Sequence, residues 1–189
     1  MLKVGLFFGS FNPVHIGHLS IANYLWQNEE IDEVWMVISP QNPFKEKKGL
    51  WNEELRLDLL KVALKGHENI KPCDIEFELP KPSYTYFTLK ELRNRFPEHQ
   101  FSIIIGEDIL EGLPKWKNGE DIIAENFFYV YPRTTSSNNH LELKNAKQIA
   151  APKLDISSTY IRENLQQGKD IRFLVGKDVA QFILENKTF

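Results

Sequence analysis

With 23 basic against 26 acidic side chains in 189 residues, a formal net charge of −3, the chain has no cationic surplus with which to hold a nucleic-acid polymer. Its one cysteine cannot form an internal disulfide, no apolar run approaches the roughly 20 residues that a bilayer span needs, and the first residues lack the basic and apolar segments of a secretion signal; a cytoplasmic protein with no membrane partner is expected. The length suits a single domain over 1–189, with C-terminal helices at about 158–186 packed on it.

The run Lys3-Val4-Gly5-Leu6-Phe7-Phe8 is short and nearly all apolar, which predicts a strand buried on both faces of a parallel sheet. After His18, the residues Ile21, Ala22 and Leu25 fall three, four and seven positions on, which is helical spacing. The stretch Gly9-Ser10-Phe11-Asn12-Pro13-Val14-His15-Ile16-Gly17-His18 therefore lies on a strand-to-helix turn, where open α/β sheets hold ligands. A helix start offers unpaired N–H groups and a positive dipole end, both favourable to phosphate. Gly9 can take a positive φ or admit a phosphate to the backbone, and Pro13 restricts the loop. The two imidazoles can face one side and each donate to a phosphate oxygen. The plainer alternative is two polar loop histidines. Zinc fits worse, because there is no Glu in a His-Glu-x-x-His sense and Cys73 is alone, so no protein-borne metal site is expected.

Further on, strands are predicted at Glu33 to Ser39, Ile70 to Leu79, Phe101 to Ile105, Asn126 to Tyr131 and Lys147 to Ala151, and helices at Asn52 to Lys65 and Thr85 to Phe96. The alternation predicts crossover units: an α/β fold with a doubly wound, mainly parallel sheet and helices on both faces. In the second helix Leu57, Leu60 and Leu64 form a core stripe, leaving Glu53, Glu54 and Lys61 to water. Gly106 and Asp108 follow a buried strand, where glycine permits close approach and a carboxylate accepts from ribose hydroxyls or caps a helix. Trp116, among Lys115, Lys117 and Asn118, reads as an exposed indole suited to stacking on a flat ring. Arg133 to Asn139 reads as a mobile loop, and a terminal helix carries Val179, Phe182 and Ile183.

Near the C-terminus, Ile156-Ser157-Ser158-Thr159-Tyr160-Ile161-Arg162-Glu163 places hydroxyls at a helix start and an arginine about one turn in. Alone this is an ordinary N-cap with a solvent-facing arginine. Paired with the histidine turn, it becomes a second grip on one polyanion. Walker-type chemistry fails, since Gly168-Lys169 and Gly176-Lys177 are each followed by Asp.

These two segments resemble the outer signatures of the nucleotidyltransferase superfamily that shares His-x-Gly-His with class I aminoacyl-tRNA synthetases. A synthetase itself is excluded, for the chain is too short and has no Lys-Met-Ser-Lys-Ser segment. Two inner segments, Pro82-Ser83-Tyr84-Thr85-Tyr86-Phe87-Thr88-Leu89 and Ile104-Ile105-Gly106-Glu107-Asp108-Ile109-Leu110 followed by Trp116, are similar to those of the bacterial nicotinate-nucleotide adenylyltransferases. The resemblance implies a Rossmann-like nucleotidyltransferase fold that joins ATP to nicotinate mononucleotide, with Mg2+ held mainly by substrate phosphates and water. It implies catalytic roles for His18, His15 and Arg162, and ATP contacts from Gly9, Ser10, Phe11, His15, His18, Lys45, Gly106, Asp108, Ser157, Ser158 and Arg162. On its residues alone, Lys45 reads as a solvated charge in its Lys45-Glu46-Lys47-Lys48 run. The acceptor would meet Tyr84 and Thr85 through N–H groups at a helix start, Trp116 through its ring, and Arg133, which reads equally as a loop arginine. One departure stands: Phe8 precedes Gly9 where the family often has a second glycine. Nicotinamide mononucleotide or pantetheine phosphate as acceptor, or a non-catalytic nucleotide sensor, are the alternatives, and a homo-oligomer is left open.

Overall fold

The computed structural model describes residues 1–41, 49–133 and 143–186. Six strands form one sheet: β1 (Leu2–Gly9), β2 (Glu33–Ile38), β3 (Ile70–Cys73), β4 (His99–Gly106), β5 (Phe127–Tyr131) and β6 (Ala146–Gln148), in the order β3-β2-β1-β4-β5-β6 and parallel throughout. Among the described residues seven α-helices accompany it: α1 (Ile16–Asn28), α2 (Glu53–Ala63), α3 (Thr85–Arg95), α4 (Gly119–Glu125), α5 (Ser158–Gln166), α6 (Arg172–Val175) and α7 (Lys177–Glu185). None of the described helices is long and apolar enough to cross a membrane.

Strand side chains alternate between two cores. Phe7, Met36, Ile38, Ile104, Tyr129 and Tyr131 face one cluster, which also takes in Leu25, Leu57, Leu60, Ile161, Val179 and Ile183. Val4, Leu6, Val37, Ile103, Ile105, Phe128 and Val130 face the other, with Leu89, Leu92, Leu110 and Ile122. The sheet is thus covered on both faces, which explains why its central strands read as unbroken apolar runs. The C-terminal helices join the first cluster through Ile161, Leu165, Val175, Val179 and Ile183.

β1 lies between β2 and β4, with Leu6 opposite Trp35 on one side and Ile103 on the other. The chain leaves β1 for β2 and returns to β4 on the opposite edge, so a crevice opens beyond the carboxyl ends of β1 and β4. Gly9 and Gly106 end those two strands.

Most element ends shift by a residue or two from expectation, and three differences bear on the site or the sheet. The strand expected to Leu79 stops at Cys73, and Ile75–Phe77 forms a 3₁₀ turn that sends Ile75 and Glu76 inward. The first helix begins at Ile16, so His15 is its N-cap and His18 sits in its first turn. β6 is shorter than Lys147 to Ala151 and shifted one residue back, although Ile149 and Ala151 are buried. Of the loop expected from Arg133 to Asn139, only Arg133 lies within the described residues.

Candidate active site

The β1–α1 loop is fixed from several sides. A Cβ on Gly9 would meet the Phe11 ring at 2.8 Å, so the glycine is required by close approach. Of the two options open to Gly9 it does not take the positive φ, which falls instead on Phe11, at 42°. The Phe11 ring is only 1% exposed and packs edge-on against Phe7 and His18 at 5.8 and 5.0 Å. Its side chain is core, and a ligand could reach this residue only through its backbone. Asn12 donates from Nδ2 to the Gly49 carbonyl at 2.8 Å and accepts from the Trp51 N–H at 3.0 Å.

The two histidines stack, ring centroids 3.6 Å apart and planes 25° from parallel. His15 is buried, and its Nδ1 has no hydrogen-bond partner among the described residues. Burial, and secondarily the charge of Arg133, push its pKa down to about 4. It is therefore neutral at physiological pH and offers a single N–H. His18 is half-buried beside it.

Helix α5 closes on this loop from the far end of the sequence. Ser157 caps the helix, accepting from the Tyr160 N–H at 3.1 Å. The Ser158 hydroxyl donates to the Pro13 carbonyl at 2.9 Å, and Arg162 donates from Nη1 to the Asn12 carbonyl at 2.8 Å and from Nη2 to Thr159 Oγ1 at 3.1 Å. The two expected phosphate elements do meet. In this structure, however, Ser158 and Arg162 hold the loop itself.

Two clefts open over the crevice. The larger, of about 490 Å3, is lined by Gly9, Ser10, Tyr84, Thr85, Asp108 and Trp116 among others. The smaller, of about 270 Å3, has His15, His18, Asp108, Arg133, Lys153 and Ser157 in its wall. Tyr84 is the N-cap of α3 and its side chain makes no cap bond, so the first turn presents backbone N–H groups near the larger cleft. Trp116, expected to be exposed, is half-buried, packed against the second core cluster. Arg133 stands with the histidines, its guanidinium 5.5 Å over the Tyr131 ring and Nε 3.6 Å from Asp108, while its N–H donates to Glu107. Asp108 is exposed and shared by both clefts. A Cβ on Gly106 would collide with the Asp108 carboxylate and sit 3.1 Å from the Tyr131 ring, so glycine lets the chain bend here. Lys45 lies outside the described residues.

Two residues escape a reading of the sequence. Arg56, expected nowhere in the core, is 0% exposed and hydrogen-bonds four backbone carbonyls around the loop. Its only sequence signal is its place beside Leu57 and one turn before Leu60. Glu76, 2% exposed, lines the larger cleft and accepts from the Thr88 hydroxyl at 2.8 Å. Burial raises its pKa against the opposing hydrogen bonds of Ser83, Thr88 and Ser39. Its alternating neighbours Ile75 and Phe77 imitate a strand.

The cytidylyltransferase-like family model matches residues 6–164. A probable nicotinate-nucleotide adenylyltransferase of Cytophaga hutchinsonii is 49% identical over 189 residues, covering 100% of this chain and 98% of that protein. Another from Flavobacterium johnsoniae is 43% identical over 100% of this chain and 99% of its own. Among solved structures, the Plasmodium falciparum nicotinic acid mononucleotide adenylyltransferase complexed with NaAD superposes with a TM-score of 0.80 at 20% identity, covering 99% of this chain and 97% of that one. At that identity the likeness speaks for the fold.

Proposed function

This chain belongs to the cytidylyltransferase-like family, among the nicotinate-nucleotide adenylyltransferases, and we propose that the stacked His15–His18 pair at the crevice is the centre of its chemistry. It transfers the adenylyl group of ATP to nicotinate mononucleotide, forming deamido-NAD and pyrophosphate. The reaction is an in-line displacement at the α-phosphorus. The attacking phosphate is already ionised, so no general base is needed, and catalysis rests on positioning and charge stabilisation. Near-parallel rings in contact suit that task, because both imidazoles face one wall of the histidine cleft.

In this reading His18 and His15 donate to α- and β-phosphate oxygens as charge builds there. Ser157, Ser158 and Arg162 attend the β- and γ-phosphates; Arg162 spends two of its five N–H donors on Asn12 and Thr159. Gly9, Ser10 and the Phe11 backbone border the nucleotide, Lys45 approaches the phosphates, and Gly106 and Asp108 meet the ribose. Tyr84 and Thr85 receive the pyridine carboxylate through N–H groups at the α3 start, Trp116 stacks on the ring, and Arg133 adds positive charge between the two substrates. Magnesium would be carried mainly on the substrates' phosphate oxygens and water. When bound, that ion neutralises phosphate charge. Residues 1–189 act as one domain, a reading supported by the core that α5, α6 and α7 share with α1 and α2. A cytoplasmic setting fits the lone, unpaired Cys73.

The test offers the purified protein ATP, magnesium and one acceptor at a time, and measures pyrophosphate release. Nicotinate mononucleotide should outperform nicotinamide mononucleotide and pantetheine phosphate; equal use of the amide would refute the substrate assignment. Replacing His18 by Ala should cut turnover by about two orders of magnitude, as loss of a transition-state donor does.

A further inference from the structure

Three side chains draw the carbonyls of the β1–α1 loop towards the protein. Arg56 donates from Nη1 to the Ser10 carbonyl at 2.6 Å and the Ser39 carbonyl at 2.9 Å, from Nη2 to Pro40 at 3.1 Å and from Nε to Trp51 at 3.1 Å. Arg162 takes the carbonyl of Asn12 and Ser158 that of Pro13. In a trans peptide the C=O and N–H lie on opposite edges, and the Ser10–Phe11 bond is trans. With the Ser10 carbonyl pulled inward to a fully buried guanidinium, the Phe11 N–H must point away from it. Gly9 and Ser10, the two residues before Phe11, line the larger cleft.

Arg56 is costly as a purely structural residue. Among the described residues its hydrogen-bond partners are neutral carbonyls, and only the more distant charge of Glu53 favours its protonated form. A buried charge carries a desolvation penalty of several kcal/mol, and apolar replacements of similar volume are often as stable or more so. Burial lowers its pKa only to about 10, so it stays charged at neutral pH. A buried cation one peptide away from a phosphate loop makes sense if the ligand is a polyanion.

We propose that Arg56 is a positioning residue for the nucleotide: by fixing the Ser10 carbonyl inward it aims the Phe11 N–H at the triphosphate, and its own charge lies directly behind that peptide. The proposal rests on the reading that the loop holds ATP. Lysine cannot replace it, because three donors on one nitrogen do not span carbonyls from Ser10, Ser39, Pro40 and Trp51, as the planar fork does.

The first experiment needs no variant. Inorganic tripolyphosphate is titrated into 15N-labelled full-length protein and amide shifts are followed. The Phe11 amide should shift among the most in the chain, together with residues 15–18. If residues 15–18 move and Phe11 does not, the proposal fails while the ATP reading survives; if neither moves, both fall. The second measures Arg56→Met and Arg56→Lys in the adenylyl-transfer assay. Each should lose about a hundredfold in kcat, the scale of one preorganised donor, with the KM for nicotinate mononucleotide within about twofold of the parent. An Arg56→Met protein that is folded by circular dichroism and retains the parent's kcat would overturn the proposal. Should that variant not fold, the titration decides.

Discussion

His15 should make this enzyme lose stability in mild acid, by an amount that one substitution removes. Its pKa drops from an ordinary 6.5 to about 4 on folding. As pH falls, the unfolded chain takes up the proton first, so stability is full above 6.5 and drains away as pH falls towards 4. At about pH 5 the unfolded histidine is almost fully protonated and the native one is not, a gap of about 1.5 pK units, which at 1.36 kcal/mol each is about 2 kcal/mol. Asn is the natural replacement: His15 is the N-cap of α1 and makes no side-chain cap bond, whereas Asn is a favoured cap. Urea unfolding of the parent and His15→Asn at about pH 7.5 and pH 5 supplies the comparison. With a urea slope of about 2 kcal/mol per molar, the parent midpoint should fall by about 1 M more than the variant's. Equal losses in both proteins would show that His15 is not held neutral by its burial.

Trp116→Ala should raise the KM for nicotinate mononucleotide about tenfold, the scale of one lost aromatic stack, and leave the KM for ATP unchanged; steady-state kinetics with each substrate varied checks this. Gly9→Ala drives a methyl into the Phe11 ring at 2.8 Å, in a site with no room to yield. It should cost about 1–3 kcal/mol, read as a melting temperature lower by several degrees. For Glu76 the folded pKa is raised, so its carboxyl weakens the fold as pH climbs above the ordinary carboxylate range. Glu76→Gln, which can still accept from Thr88, should be more stable than the parent at neutral pH and lose that advantage near pH 4. A variant less stable than the parent at both pH values would refute it.

The sheet was legible because two cores demand continuous apolar strands, and β1, β2, β4 and β5 carry them. The strand expected to Leu79 overreaches because Ile75 and Phe77 bracket Glu76 with strand-like alternation, while hydroxyls, Thr88 at 2.8 Å first among them, receive the carboxylate that turns inward. Both phosphate elements were visible as motifs, yet their contact was not, since nothing local tells Arg162 to seek the Asn12 carbonyl. That Gly9 allows a close approach is legible from its place at the strand end, but not that the Phe11 ring, two residues on, is among the groups that come close. Arg56 was hidden altogether: residue type argues for solvent, and its four carbonyls come together only once β1, β2 and α2 are packed.

The hydrogen bonds of Ser158 to Pro13 and of Arg162 to Asn12 span 145 and 150 positions of chain. During synthesis, then, the histidine turn is made long before it can be finished. Its carbonyls at Asn12 and Pro13 have no α5 donors until some 145 further residues have been translated. A ribosome-bound fragment ending before Ser158 would carry the whole histidine signature without the brace that sets its shape.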